Sequence, residues 1–80
     1  MIKVIVKLYG TLPERIQAYD PDKGLILEFA QGTKVADLTQ RLNLAAEDTG
    51  VVALDGRVAA PETSLYDGAQ IRIFQAAYGG

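Results

Sequence analysis

Gly32-Thr33-Lys34-Val35-Ala36-Asp37-Leu38-Thr39-Gln40-Arg41-Leu42-Asn43 is the stretch that decides the architecture of this 80-residue chain. Val35, Leu38 and Leu42 recur at i, i+3 and i+7, which puts one apolar stripe on a short helix. Thr33 stands where an N-cap is expected, its hydroxyl able to accept an N–H of the first turn. Asp37 suits the positive end of the helix dipole and Arg41 the negative end. The helix is expected to stop near Asn43.

Strand patterns flank that helix on both sides. Before it, Ile2-Lys3-Val4-Ile5-Val6-Lys7-Leu8 nearly alternates. Ile2, Val4, Val6 and Leu8 share one parity and are expected to face the core. A loop follows, marked by Gly10, Pro13, Asp20-Pro21-Asp22 and Lys23-Gly24, with room for one helical turn around residues 14–17. Leu25-Ile26-Leu27-Glu28-Phe29 then returns as an antiparallel partner. After the helix, Val51-Val52-Ala53-Leu54 runs into the tight-turn signal Asp55-Gly56, and Arg57-Val58 resumes. Another turn, Leu65-Tyr66-Asp67-Gly68, leads into a last strand from Ala69 to Phe74, with Ile71 and Ile73 inward and Arg72 and Phe74 outward.

Strand, strand, helix, strand, short strand, strand is an α+β order. With the helix as a crossover, the first and last strands lie side by side and parallel. This is the β-grasp arrangement, a mixed sheet of four to five strands packed on one main α-helix. Residues 1–74 form the domain, and residues 75–80 a flexible tail ending in Gly-Gly.

Composition removes most chemistry from the chain itself. There is no Cys, so disulfides, Cys-ligated zinc, iron–sulfur clusters and thiol nucleophiles are excluded. There is no His, so a Ser/His/Asp triad cannot be built. Eight Lys+Arg against ten Asp+Glu give a net charge of −2, without the basic patch of a nucleic-acid binder. Apolar runs reach only four or five residues, too short for a membrane span, and the opening residues read as strand, not as a signal peptide. These features point to a cytoplasmic, non-enzymatic protein with no metal and no cofactor of its own.

What remains is the end, Gln75-Ala76-Ala77-Tyr78-Gly79-Gly80. Two glycines add nothing to a core, but a tail without β-carbons can enter a narrow cleft. A terminal carboxylate is a poor electrophile and must first be activated, for example as an acyl adenylate. An ATP site for that step belongs to another protein, which makes this chain a substrate and its tail the reactive part.

The chain resembles the MoaD/ThiS family of small sulfur-carrier proteins, which share the ubiquitin-like β-grasp fold. The matching pieces are Ile2–Leu8, the run from Gly32 to Leu38, Val52-Ala53-Leu54-Asp55-Gly56, the run from Leu65 to Phe74, and Gly79-Gly80. The resemblance implies that an E1-like adenylyltransferase activates the Gly80 carboxylate using ATP. A sulfurtransferase or other donor then converts it to a thiocarboxylate. The tail, with Gly79 and Tyr78, threads into an acceptor enzyme: the molybdopterin synthase large subunit or a thiazole synthase. The long loop from Thr11 to Gly24 favours the molybdopterin type, whereas Phe74-Gln75 before the tail is similar to thiamine carriers. Tyr78 departs from the small residue usual beside the two glycines. A ubiquitin-like modifier conjugated through Gly80, and a β-grasp interaction module with an unreactive tail, stay open as alternatives.

The outward residues supply a partner-docking surface. Phe74 and Ile5 are expected to form an apolar spot ringed by Arg72, Lys3 and Lys7, with Ala53 beside it. Other residues have structural readings. Asp20 and Asp22 belong to a turn, Gly24 and Gly32 terminate strands, Tyr9, Tyr19 and Tyr66 pack with hydroxyls in water, and Glu47-Asp48 is a solvated loop pair.

Overall fold

The computed structural model describes residues 1–17, 19–44 and 49–76. Five strands and one α-helix follow each other as β1 (Ile2–Leu8), β2 (Leu25–Phe29), α1 (Val35–Arg41), β3 (Thr49–Leu54), β4 (Arg57–Val58) and β5 (Gln70–Gln75). They form one sheet in the order β2-β1-β5-β3-β4. β1 and β5 are parallel neighbours at its centre, with Val6 opposite Ile71 and Leu8 opposite Ile73. All other pairings are antiparallel. The mixed sheet with one helix is the β-grasp arrangement expected from the element order.

Alternation decides which face is dry. Ile2, Val4, Val6 and Leu8 are all buried, as are Ile71 and Ile73 from β5 and Val52 from β3. α1 brings Val35 and Leu38 down onto them, with Leu42 packed at the margin. The Arg41 guanidinium lies 5.3 Å from the centre of the Phe29 ring, a cation–π contact closing one flank of the helix.

Local chemistry sets the ends of α1, and it differs from the expected cap at Thr33. The Thr33 hydroxyl donates to the Ala30 carbonyl at 2.7 Å, so it serves the preceding turn. Lys34 occupies the N-cap position, and its N–H is taken by the Asp37 carboxylate at 2.9 Å. The first free N–H groups of the helix, on Val35 and Ala36, donate to the Thr63 and Pro61 carbonyls at 3.0 and 2.9 Å. A segment distant in sequence does what the Thr33 side chain was expected to do. At the other end Asn43 takes φ 57°, its N–H bonds Gln40, and the Leu44 N–H reaches back to Thr39. This is a Schellman motif with the buried Leu44 as its apolar clasp.

Three further boundaries shift. The helical turn expected at residues 14–17 is a 3₁₀ turn over Leu12–Arg15, where Pro13 presets φ at the start. β3 begins at Thr49, ahead of Val51, after an irregularity in its pairing with β5. β5 runs from Gln70 to Gln75, one residue later than the pattern indicates at each end. Asp55 and Gly56 both have positive φ, 49° and 84°, as the tight β3–β4 turn requires.

Candidate functional site

The face of the sheet opposite α1 carries the residues singled out from sequence. Strand pairing orders them in rows. Lys7 on β1 is opposite Arg72 on β5, and Arg72 is opposite Ala53 on β3. Two cations thus sit side by side in the middle of the open face, each half-buried. Ile5 lies one row away, between Gln70 on β5 and the exposed Ile26 on β2. Lys3 lies a further row away, opposite Glu28.

Phe74 occupies the opposite end, next to the point where the chain leaves the sheet. Its ring stacks on Tyr9, with centroids 4.8 Å apart and planes 13° from parallel. Its cross-strand neighbour on β3 is Val51, which is also exposed. The single apolar spot expected from Phe74 and Ile5 is therefore two spots divided by the Lys7–Arg72 row. Four steps along the chain carry Ile5 to Tyr9, just past the end of β1, about 13 Å at strand rise. Parity alone put Phe74 and Ile5 on one face correctly. Their separation depends on the β1–β5 register, which parity does not contain.

Tyr9, Ile26 and Val51 are surface residues that the sequence reading missed. Tyr9 carried a usable signal, since it shares the parity of Lys3, Ile5 and Lys7. The tyrosine hydroxyls also differ from expectation. The Tyr19 hydroxyl accepts the Leu8 N–H at 2.8 Å, pinning the 11–24 loop to the end of β1. The Tyr66 hydroxyl is bonded to the Asp55 carboxylate, which also accepts the Gln70 N–H at 2.9 Å.

The chain's exit from β5 is held on both sides. The Gln75 amide oxygen accepts the Thr11 N–H at 2.9 Å, crossing over Gly10. Across the strand, Gly50 lies so close that a β-carbon there would be 2.8 Å from the Gln75 carbonyl oxygen. Ala76 is half-buried beside it. Tyr78, Gly79 and Gly80, the residues expected to thread a partner and carry sulfur, lie outside the described residues, as does the Glu47-Asp48 pair.

Asp20 behaves as a turn residue. One of its carboxylate oxygens accepts the N–H groups of Asp22 and Lys23 at 2.8 and 3.1 Å. Among the described residues no group of three or more carboxylates is placed to hold a metal ion, and no helix is long and apolar enough to cross a membrane.

The model of the ThiS family matches residues 6–80, which runs from β1 through the terminal Gly79-Gly80. The chain belongs to the ThiS family. Proteins of this family are small non-catalytic carriers. No curated protein matches the sequence. Among solved structures, it is similar to a Pyrococcus furiosus protein described as molybdopterin converting factor, subunit 1, with TM-score 0.78 and 20% identity, covering 96% of this chain and 100% of that one. It is also similar to small archaeal modifier protein 1 of Haloferax volcanii, with TM-score 0.76 and 15% identity over 96% and 100% of the two chains. Urm1 from Trypanosoma brucei superposes with TM-score 0.63 and 17% identity over 98% and 95%. At these identities the likeness is one of fold, and it supports the ubiquitin-like β-grasp assignment.

Proposed function

We propose that this ThiS-family chain carries sulfur on the carboxylate of Gly80 and delivers it in molybdopterin formation. The observation that carries the carrier reading is the family match that runs through Gly79-Gly80, the residues after a β5 that leads off the sheet beside an exposed aromatic surface. The molybdopterin acceptor is favoured by the likeness to the Pyrococcus furiosus protein described as molybdopterin converting factor, subunit 1. An E1-like adenylyltransferase joins the carboxylate to the AMP moiety of ATP and releases pyrophosphate. The persulfide of a sulfurtransferase, or another donor, then attacks the adenylate and AMP leaves. A thiol cleaves the resulting acyl disulfide, giving the thiocarboxylate and a disulfide, whereas a sulfide donor gives the thiocarboxylate directly. The acceptor is the large subunit of a molybdopterin synthase, or a thiazole synthase if the sulfur enters thiamine. ATP is bound by the activating partner, and the carrier needs no cofactor or metal. The setting is the cytoplasm.

The docking surface in this reading is the Tyr9–Phe74–Val51 end of the open face, flanked by Lys7 and Arg72. An aromatic anchor beside the exit places the tail at the partner's cleft once the face is engaged. Ile5 and Lys3 extend the contact towards β2.

A second reading, a ubiquitin-like modifier joined to target amines through Gly80, is favoured by the likeness to small archaeal modifier protein 1. Activation is common to both, and the product separates them.

Intact mass spectrometry of the untagged protein, after incubation with ATP, an E1-like enzyme and a sulfur source, tests the proposal. The expected result is one oxygen-for-sulfur exchange at Gly80, absent when Gly80 is deleted. A covalent conjugate to lysines without the exchange supports the modifier. No change with an activating enzyme that works on its own carrier overturns both.

A further inference from the structure

We propose that Gln75 is a positioning residue, whose side chain fixes the direction in which the C-terminal segment leaves the sheet. The inference rests on the carrier reading and deepens it, by naming what aims the carboxylate at the activating enzyme.

The amide of Gln75 is folded back across the turn after β1. Its oxygen accepts the Thr11 N–H at 2.9 Å. Gly10, with φ +70°, makes this possible, because a β-carbon there would sit 2.4 Å from the Gln75 amide oxygen and 2.8 Å from its Cβ. Gly50 closes on the other flank. A β-carbon at Gly50 would lie 2.8 Å from the Gln75 carbonyl oxygen and 2.9 Å from the Ala76 Cα. The Tyr9 N–H bonds the Ile73 carbonyl at 3.0 Å, extending the β1–β5 ladder to the brink of this exit. Two stretches of bare backbone thus press on residues 75 and 76 from opposite sides, and the Gln75 side chain ties them to one.

Residues 77–80 link Ala76 to the Gly80 carboxylate that the carrier reading makes reactive, a span of at most about 14 Å. Over so short a span, the placement of Ala76, its origin, bounds where that carboxylate can be presented. Reaction of a carboxylate with ATP is sensitive to misplacement of about 1 Å. A side chain that holds the origin therefore acts on the rate of adenylation and leaves sheet-face docking alone.

The test is adenylation of the full chain by its E1-like enzyme, followed as ATP–pyrophosphate exchange, together with the backbone order parameter of the Ala76 amide. Gln75→Ala is expected to lower kcat about fivefold, the equilibrium value of one modest hydrogen bond, with the KM for the carrier unchanged. Gln75→Glu keeps an acceptor oxygen for the Thr11 N–H and is expected to restore the rate to within about twofold. Gly10→Ala, which displaces the amide, reproduces the loss. The Ala76 order parameter falls in Gln75→Ala and recovers in Gln75→Glu.

An unchanged kcat in Gln75→Ala, with wild type adenylated, overturns the positioning role. A change confined to KM makes Gln75 a docking contact and overturns it as well. If wild type is not adenylated, the carrier reading falls, and an Ala76 order parameter unmoved by Gln75→Ala separately refutes the control of the exit.

Discussion

The rings of Tyr9 and Phe74 are stacked 4.8 Å apart, which couples the residue just past the first strand to the penultimate residue of the last. Neither ring belongs to the core. Phe74 retains 37% of its surface exposure, and Tyr9 is half-buried. Offset aromatic pairs contribute roughly 0.5–1.5 kcal/mol beyond their buried area, enough to preform an anchor without a partner.

Phe74→Ala is expected to weaken binding to the E1-like partner by about tenfold or more, while circular dichroism stays that of wild type. Tyr9→Ala should have a smaller effect in the same direction, since it leaves the Phe74 ring without its support. Calorimetric titration of both variants checks this, and unchanged affinity in Phe74→Ala would exclude the open face as the docking surface.

Lys7 and Arg72 are paired across β1 and β5, so an acidic partner patch would meet two like charges at once. Arg72→Glu should slow association several-fold and flatten its dependence on salt, because steering acts on the on-rate. Stopped-flow measurements at two ionic strengths read both effects. A dissociation rate that changes while the association rate does not would assign Arg72 to a buried contact.

Tyr19→Phe deletes the acceptor for the Leu8 N–H. A part-buried donor left without a partner costs about 1–3 kcal/mol, so the urea midpoint should fall accordingly. Hydrogen exchange at the Leu8 amide should accelerate as the 11–24 loop loosens. An unchanged exchange rate would mean that water replaces the phenol.

Leu38 is fully buried, where α1 meets the sheet. Leu38→Ala should cost about 2–5 kcal/mol, a large share of the stability of a domain this small. Thermal denaturation gives the number. Loss of carrier activity in this variant reports unfolding, which is why the surface and exit variants are the informative probes.

Much of this was legible in the residues. Period-two alternation in Ile2–Leu8 and the i, i+3, i+7 spacing of Val35, Leu38 and Leu42 fix which faces are dry, and the single crossover fixes the parallel central pair. The Asp55-Gly56 turn is equally local. What escaped depended on register or on distant partners. Thr33 has the chemistry of a cap, but the Thr63 and Pro61 carbonyls reach the helix first. Phe74 and Ile5 share a face, but only the pairing of Lys7 with Arg72 shows that a charged row runs between them. Gln75 reads as an ordinary strand-end glutamine until the backbone at Gly10 is seen beneath it.

The adjacency of β1 and β5 also bears on when this protein can exist at all. The two middle strands come from opposite ends of the described chain, so the sheet cannot close while the ribosome still holds residues 70–75. Until then β1 and β3 lack the strand that joins them, and the β1–β2 pair stands apart from β3 and β4. A chain interrupted before that point has no folded surface to offer. The Lys7–Arg72 row exists only where the two ends of the described chain have met, so a surface built on it is a product of the closed sheet and of neither strand alone.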